Sequence, residues 1–109
     1  MEDPIRMRSS RKLELTDEAE SDVRTLLRYT NANWGAAQRD ADAGRLMGAL
    51  GELVVHPHLG LARDEIAAGL RILRVGQHVA YYRVLEQSIR VERILHVSTD
   101  PSRHLRDHP

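Results

Sequence analysis

The sequence predicts an α+β domain: an N-terminal strand, an antiparallel helical hairpin, a three-stranded antiparallel meander packed on the helices, and a short C-terminal helix. Three observations predict it. Two long stretches on either side of Gly35 repeat apolar residues at helical spacing. Three segments after Gly69 carry β-branched and apolar residues in runs of strand length, separated by short turns. Pro57 and Pro101 punctuate the chain where the second helical pattern stops and where a final short helix starts.

Each element follows in order. Met1 to Ser10 has no periodicity and contains Pro4; it reads as a disordered leader ahead of a single domain over 11–105, with 106–109 as a tail. Arg11 to Thr16 alternates polar and apolar residues, a short strand with Leu13 and Leu15 on one face. Thr16 or Asp17 can then cap a helix, and the acidic run Asp17, Glu18, Glu20, Asp22 complements its positive end. Ala19, Val23, Leu26, Leu27, Thr30 and Trp34 form its apolar stripe, with Trp34 expected as a core plug, and Gly35 is the stop.

The second helix runs from about Ala36 to His56, with Ala43, Leu46, Met47, Leu50, Leu53 and Val54 as its stripe. Gly44, Gly48 and Gly51 lie inside it, each costing about 1 kcal/mol relative to Ala. Close packing of the backbone on the first helix is the expected compensation. The short link at Gly35 makes the pair antiparallel. His58 to Gly69 reads as a loop. Leu70–Val75, His78–Leu85 and Ile89–Val97 are the three strands, with turns at Gly76-Gln77 and at Glu86-Gln87-Ser88. The phase of the last strand is broken: Ile89, Val91 and Leu95 share a face with Arg93, whereas Ile94 falls with Arg90, Glu92 and His96. A bulge near Arg93 resolves this, and so does a sheet covered on both faces.

Composition narrows the function classes. The 109 residues contain no cysteine, which excludes disulfide scaffolds and cysteine-ligated zinc. Hydrophobic residues at 41% and charged residues at 29% exclude compositional disorder. No apolar run reaches the roughly 20 residues that span a bilayer, and the first residues lack a secretory apolar core, so the expected location is the cytoplasm. The net charge is +0, yet residues 1–59 hold 8 basic and 10 acidic side chains, and 60–109 hold 8 basic and 6 acidic. Lys12 is the only lysine, and arginine suits bidentate recognition of carboxylate or phosphate. The excess is too small to point to direct sequence-specific nucleic-acid binding.

The chemistry-bearing residues are few. His78, His96 and His104 are candidates for proton transfer, Tyr81 or Tyr82 for weak acids, and Arg71, Arg83 and Arg93 for phosphate charge, the set that ribonucleolytic cleavage requires. Strand alternation puts Tyr81 and Arg83 on one face and His78 and Tyr82 on the other. His56-Pro57-His58 lacks a third ligand nearby, so no metal is expected. The glycines of the second helix do not follow a strand, so there is no phosphate loop and no cofactor is expected.

Seven segments stand out in order: Leu15-Thr16-Asp17-Glu18-Ala19-Glu20-Ser21-Asp22; Tyr29-Thr30 with Trp34-Gly35; His56-Pro57 with Gly60; Arg63-Asp64-Glu65-Ile66; Gly69-Leu70-Arg71; Val75-Gly76 with His78-Val79 and Tyr81-Tyr82-Arg83-Val84; and Arg93-Ile94-Leu95-His96 with Asp100-Pro101 and Arg103-His104-Leu105. Together they resemble ParE-type toxins of the ParE/RelE superfamily. The resemblance covers nearly everything from Leu13 to Leu105. It departs at Val97-Ser98-Thr99, where members of the family often carry a basic and a large apolar residue. It implies the toxin of a type II toxin–antitoxin module, neutralised by a cognate ParD-like antitoxin and inhibiting DNA gyrase by binding. The alternatives are the ribosome-dependent mRNA endonuclease activity of the RelE branch, or a non-toxic antitoxin-binding co-repressor. The residues expected to contact antitoxin or target are Arg71, Arg74, Tyr82, Arg83, Arg90, Arg93, His96, Asp100 and Arg103.

Overall fold

The structure, a computed structural model, describes residues 11–105. The expected leader and tail lie outside the described residues. In chain order come β1 (Lys12–Leu15), α1 (Asp17–Trp34), α2 (Ala36–Val55), β2 (Leu61–Ala62), β3 (Leu70–Val75), β4 (His78–Val84), β5 (Ser88–His96) and a 3-10 turn (Pro101–Arg103). Helix α1 starts where Thr16 is extended and its hydroxyl accepts from the Ala19 N–H at 3.1 Å. It ends at Gly35, whose φ of +91° is a left-handed conformation open to glycine. The same residue starts α2, so the two helices fold back as a hairpin. His56 closes α2 and Pro57 prevents its continuation. Asp100 caps the final turn through the Ser102 N–H, with Pro101 at its start.

The expected α+β architecture is present, and the meander is the middle of a larger sheet. Strand order is β1-β5-β4-β3-β2. β3, β4 and β5 pair antiparallel, β1 joins the outer flank of β5 in parallel, with Leu13 opposite Ile89, and β2 adds to β3. β2 lies inside the segment expected to be loop; its two residues are too short to show a period. The bulge is where the broken phase asks for one. Tyr81 faces Arg93 and Tyr82 faces Val91, leaving Glu92 as the extra residue. After it, Ile94 returns to the side of Ile89 and Val91, and Leu95 turns to the other.

Both faces of the sheet are covered. On the helix side Ala19, Leu46, Leu50 and Leu53 pack on Ala80, Tyr82, Ile89, Val91 and Ile94. On the back, Ala67 and Leu105 fold over Leu70, Val79, Tyr81 and Leu95. Burying one such Leu or Ile contributes about 1.5–3 kcal/mol, so the helical side dominates the stability.

Two expectations from the sequence are corrected. Trp34 is no core plug: it is 65% exposed, beside Tyr29 at 61%. The reason is length. The 18 residues of α1 extend about 27 Å, while β5 runs only five residues, about 17 Å, beyond the end of β1. The tip of the hairpin therefore overhangs the sheet. The glycines of α2 do not serve close packing either. A Cβ at Gly44, Gly48 or Gly51 would meet nothing within 4 Å. Met47, read as part of the stripe, is likewise exposed.

Candidate functional site

The overhang creates a groove of about 800 Å³ between the hairpin tip and the far end of the sheet. Its upper wall is α1 and α2, presenting Leu26, Tyr29, Trp34, Asp42 and Leu46; its floor is Val75 to His78 and Ile94 to His96. Tyr29 and Trp34 meet edge to face, with ring centroids 5.9 Å apart. Five residues apart, they do not share a helical face; the two rings meet around the last turn of α1, where no strand reaches far enough to cover them. Large exposed aromatic rings over an apolar groove are the usual mark of a macromolecular contact.

Two histidines lie side by side on the floor. His78 opens β4 and His96 closes β5, and the register places them opposite each other. Their rings are 5.5 Å apart, edge to face. Burial, and then the neighbouring His96, hold the His78 imidazole below its ordinary pKa against the opposing pull of Asp42. The His96 Nδ1 faces the Ser98 hydroxyl at 2.8 Å and accepts from the Ser98 N–H at 3.1 Å, so a short turn fixes the ring.

At the inner end of the groove Asp22 joins three elements. Its carboxylate takes two hydrogen bonds from the Arg93 guanidinium, at 2.8 and 3.0 Å, and a third from the Ile94 N–H at 2.9 Å. The Arg93 Nη1 lies 3.2 Å from the His104 Nδ1, which ties the C-terminal segment to the same point. With Thr16 donating to the Glu92 carbonyl, α1 caps the flank of β5 that β1 leaves bare. Asp22 belongs to the acidic run read as a complement to the helix end; its partner lies 71 residues away, which no local pattern signals.

The residues expected to touch a partner are dispersed. Tyr82 is wholly buried, and its hydroxyl donates to the Pro57 carbonyl and accepts from the Gly60 N–H; this corrects its reading as a contact residue. Arg71 is drawn inward, binding the Gly60 and His58 carbonyls. Arg93 is held by Asp22. Strand alternation turns Arg74, Arg83 and Arg90 to the back of the sheet. There Arg83 meets the Ala68 carbonyl and, at 3.5 Å, Glu92. Asp100 and Arg103 are exposed near that face. His96 alone of the set lines the groove. The groove residues Tyr29, Trp34 and His78 escape the expected contact set; paired aromatics at the end of a long helix were the available signal.

The groups that nuclease chemistry would need are split by the sheet. His78 and His96 are on the helix side, whereas Tyr81 is buried on the back, its pKa raised by burial and then by Asp100. Among the described residues no three His, Cys, Asp or Glu side chains converge as metal ligands, and no helix is long and apolar enough to cross a membrane.

Comparison with known proteins places this geometry. Residues 13–101 match the family model described as the ParE toxin of the type II toxin–antitoxin system parDE. The chain is 36% identical over 98 residues to the toxin ParE1 of Mycobacterium tuberculosis, covering 89% of this chain and 99% of the relative. It is 32% identical over 93 residues to the toxin ParE1 of Caulobacter vibrioides, covering 84% and 94%. The solved chromosomal ParDE system from P. aeruginosa contains a chain of the same fold, with TM-score 0.71 and 19% identity over 81% of this chain and 97% of that one. With its matched segment running from the first strand to the last turn, the chain belongs to the ParE toxin family of type II toxin–antitoxin systems.

Proposed function

We propose that this toxin acts by binding: it inhibits DNA gyrase in the bacterial cytoplasm and is neutralised when a cognate ParD-like antitoxin covers the groove under the hairpin. The observation that carries the reading is the groove itself, apolar in its walls, rimmed by Tyr29 and Trp34, and open at the hairpin tip. A helical or extended segment of the antitoxin would bury these rings and gain affinity from them, since aromatic anchors carry much of the energy of such contacts. The split of His78 and His96 from Tyr81, Arg83 and Arg90 supports inhibition by contact over RNA cleavage, which needs acid, base and cations around one phosphate. The back of the sheet and the segment His96–Leu105, with Arg74, Arg90, Asp100 and Arg103 exposed, are the surface assigned to gyrase.

Induced expression in a bacterium tests the reading. Gyrase inhibition gives filamentation and a DNA-damage response, relieved when the antitoxin is expressed alongside. Prompt arrest of translation with cut messages would instead establish the ribonuclease alternative, and normal growth the co-repressor.

A further inference from the structure

The His78–His96 pair stands at the spot where a partner in the groove would shut out water. Directly opposed on neighbouring strands, with rings 5.5 Å apart, the two imidazoles repel if both are charged. In the open protein, solvent in the groove screens that repulsion. A partner seated across Trp34 and the groove floor removes the solvent, so a charge left beneath it loses hydration and screening together. We propose that closing the groove expels protons from the His78–His96 pair, so that the antitoxin is held at neutral pH and loosened as the medium is acidified; this rests on the antitoxin occupying the groove, as argued above.

The other charges around the pair do not reverse the sign. On α2, Asp42 attracts a proton to His78, but it also accepts from Gln38 at 2.8 Å and lies 3.4 Å from the Arg45 guanidinium. Arg45 extends over the strand turn, where a Cβ on Gly76 would lie 3.7 Å from its Nη1, and so adds positive charge near the pair. On α1, Asp22 is committed to Arg93 and the Ile94 N–H. Just past β5, Ser98 adds no charge beside the His96 Nδ1, which accepts from its N–H. In the free protein His78 is already harder to protonate than an exposed histidine, so its share of the proton release falls at the acid end of the range.

The test uses the intact toxin and its purified cognate antitoxin. Trp34 is the only tryptophan in the chain, so its emission reports whether the groove is covered. Affinity is measured from pH 7.5 to 5.5, and calorimetry at pH 6.5 in two buffers of different ionisation enthalpy counts protons. The expected result is a dissociation constant about tenfold or more larger at pH 5.5, since each proton expelled gives up to a factor of ten per pH unit, with net proton release on binding. In His78→Gln, and in the double variant with His96→Gln, the ratio of the two constants should fall towards one. Reading a ratio removes any change in absolute affinity, and the proton count on the unaltered protein needs no variant. A complex that quenches or shifts Trp34 yet keeps its affinity within about twofold across the range overturns the proposal alone. So does a slope that survives in both variants. Absence of a complex at pH 7.5, or a complex that leaves Trp34 emission unchanged, overturns the groove reading as well.

Discussion

The Tyr82 hydroxyl and the Gly60 N–H form a buried hydrogen bond of 2.9 Å, and the same hydroxyl donates to the Pro57 carbonyl at 2.8 Å. One core side chain thus holds both ends of the turn that leads from α2 into the sheet. Gly60 must be small: a Cβ there would lie 2.3 Å from the Ile72 carbonyl oxygen and 2.7 Å from the Tyr82 hydroxyl. The spacing His56-Pro57 to Gly60 is therefore a structural motif, in which proline ends the helix and glycine admits the tyrosine. Tyr82→Phe leaves the Gly60 N–H without its partner and should lower unfolding stability by about 1–3 kcal/mol. Gly60→Ala should cost more, because backbone must move. Urea denaturation of the purified variants measures both; a Tyr82→Phe variant as stable as the parent contradicts the account.

Asp22 is the hinge between α1, β5 and the C-terminal segment. Asp22→Ala strands the Arg93 guanidinium, 20% exposed in its side chain, and the Ile94 N–H. The pair is partly solvated, so the expected loss is about 1–3 kcal/mol, below that of a fully buried pair. Amide exchange at Ile94 should quicken with it. Unchanged protection at Ile94 would show that the carboxylate does not cap the strand.

The glycines of α2 offer stabilisation. Gly44, Gly48 and Gly51 are helical, and a methyl group at each would meet open space. Gly48→Ala should raise stability by about 0.5–1 kcal/mol, and the three changes together by about 1.5–3 kcal/mol. Thermal melts measure this. A fall in Tm would mean that the exposed face of α2 is covered in solution.

The free toxin should lose stability as pH falls below about 6.5, the ordinary histidine value. The folded state holds His78 below that value, chiefly through burial. As pH falls, the unfolded chain takes up the proton first, so stability declines until the folded-state pKa of His78 is passed and then levels. Chemical denaturation at a series of pH values should show this decline in the parent and a smaller one in His78→Gln. Equal slopes in the two proteins contradict it.

The elements of the fold were legible because each has a local cause. The Thr16 cap, the φ of Gly35, the block at Pro57 and the turn at Gly76 all act within a few residues. Even the bulge at Glu92 could be read, because Ile94 fell out of phase with Val91. The parallel pairing of β1 with β5 and the Asp22–Arg93 bridge join residues some 70 to 76 positions apart, and no periodicity encodes them. Trp34 was misplaced for a related reason. A helical stripe says which side of a helix is apolar, but not how far the sheet beneath it extends. The groove arises from that mismatch in length, so the residues lining it could be read only once both elements were in place. The reverse holds for Tyr82: its position beside Tyr81 on a strand shows alternation, and only the packed fold shows that both rings are buried, Tyr82 on the helix side and Tyr81 on the back.

Inhibition of gyrase by contact is tested most directly with purified components. Supercoiled plasmid is incubated with gyrase, ATP and the toxin, with and without the cognate antitoxin. The account predicts loss of supercoiling activity and accumulation of linear DNA that depends on gyrase and disappears when antitoxin is added first. Full gyrase activity at saturating toxin, together with toxin-dependent cutting of message on ribosomes, would contradict it.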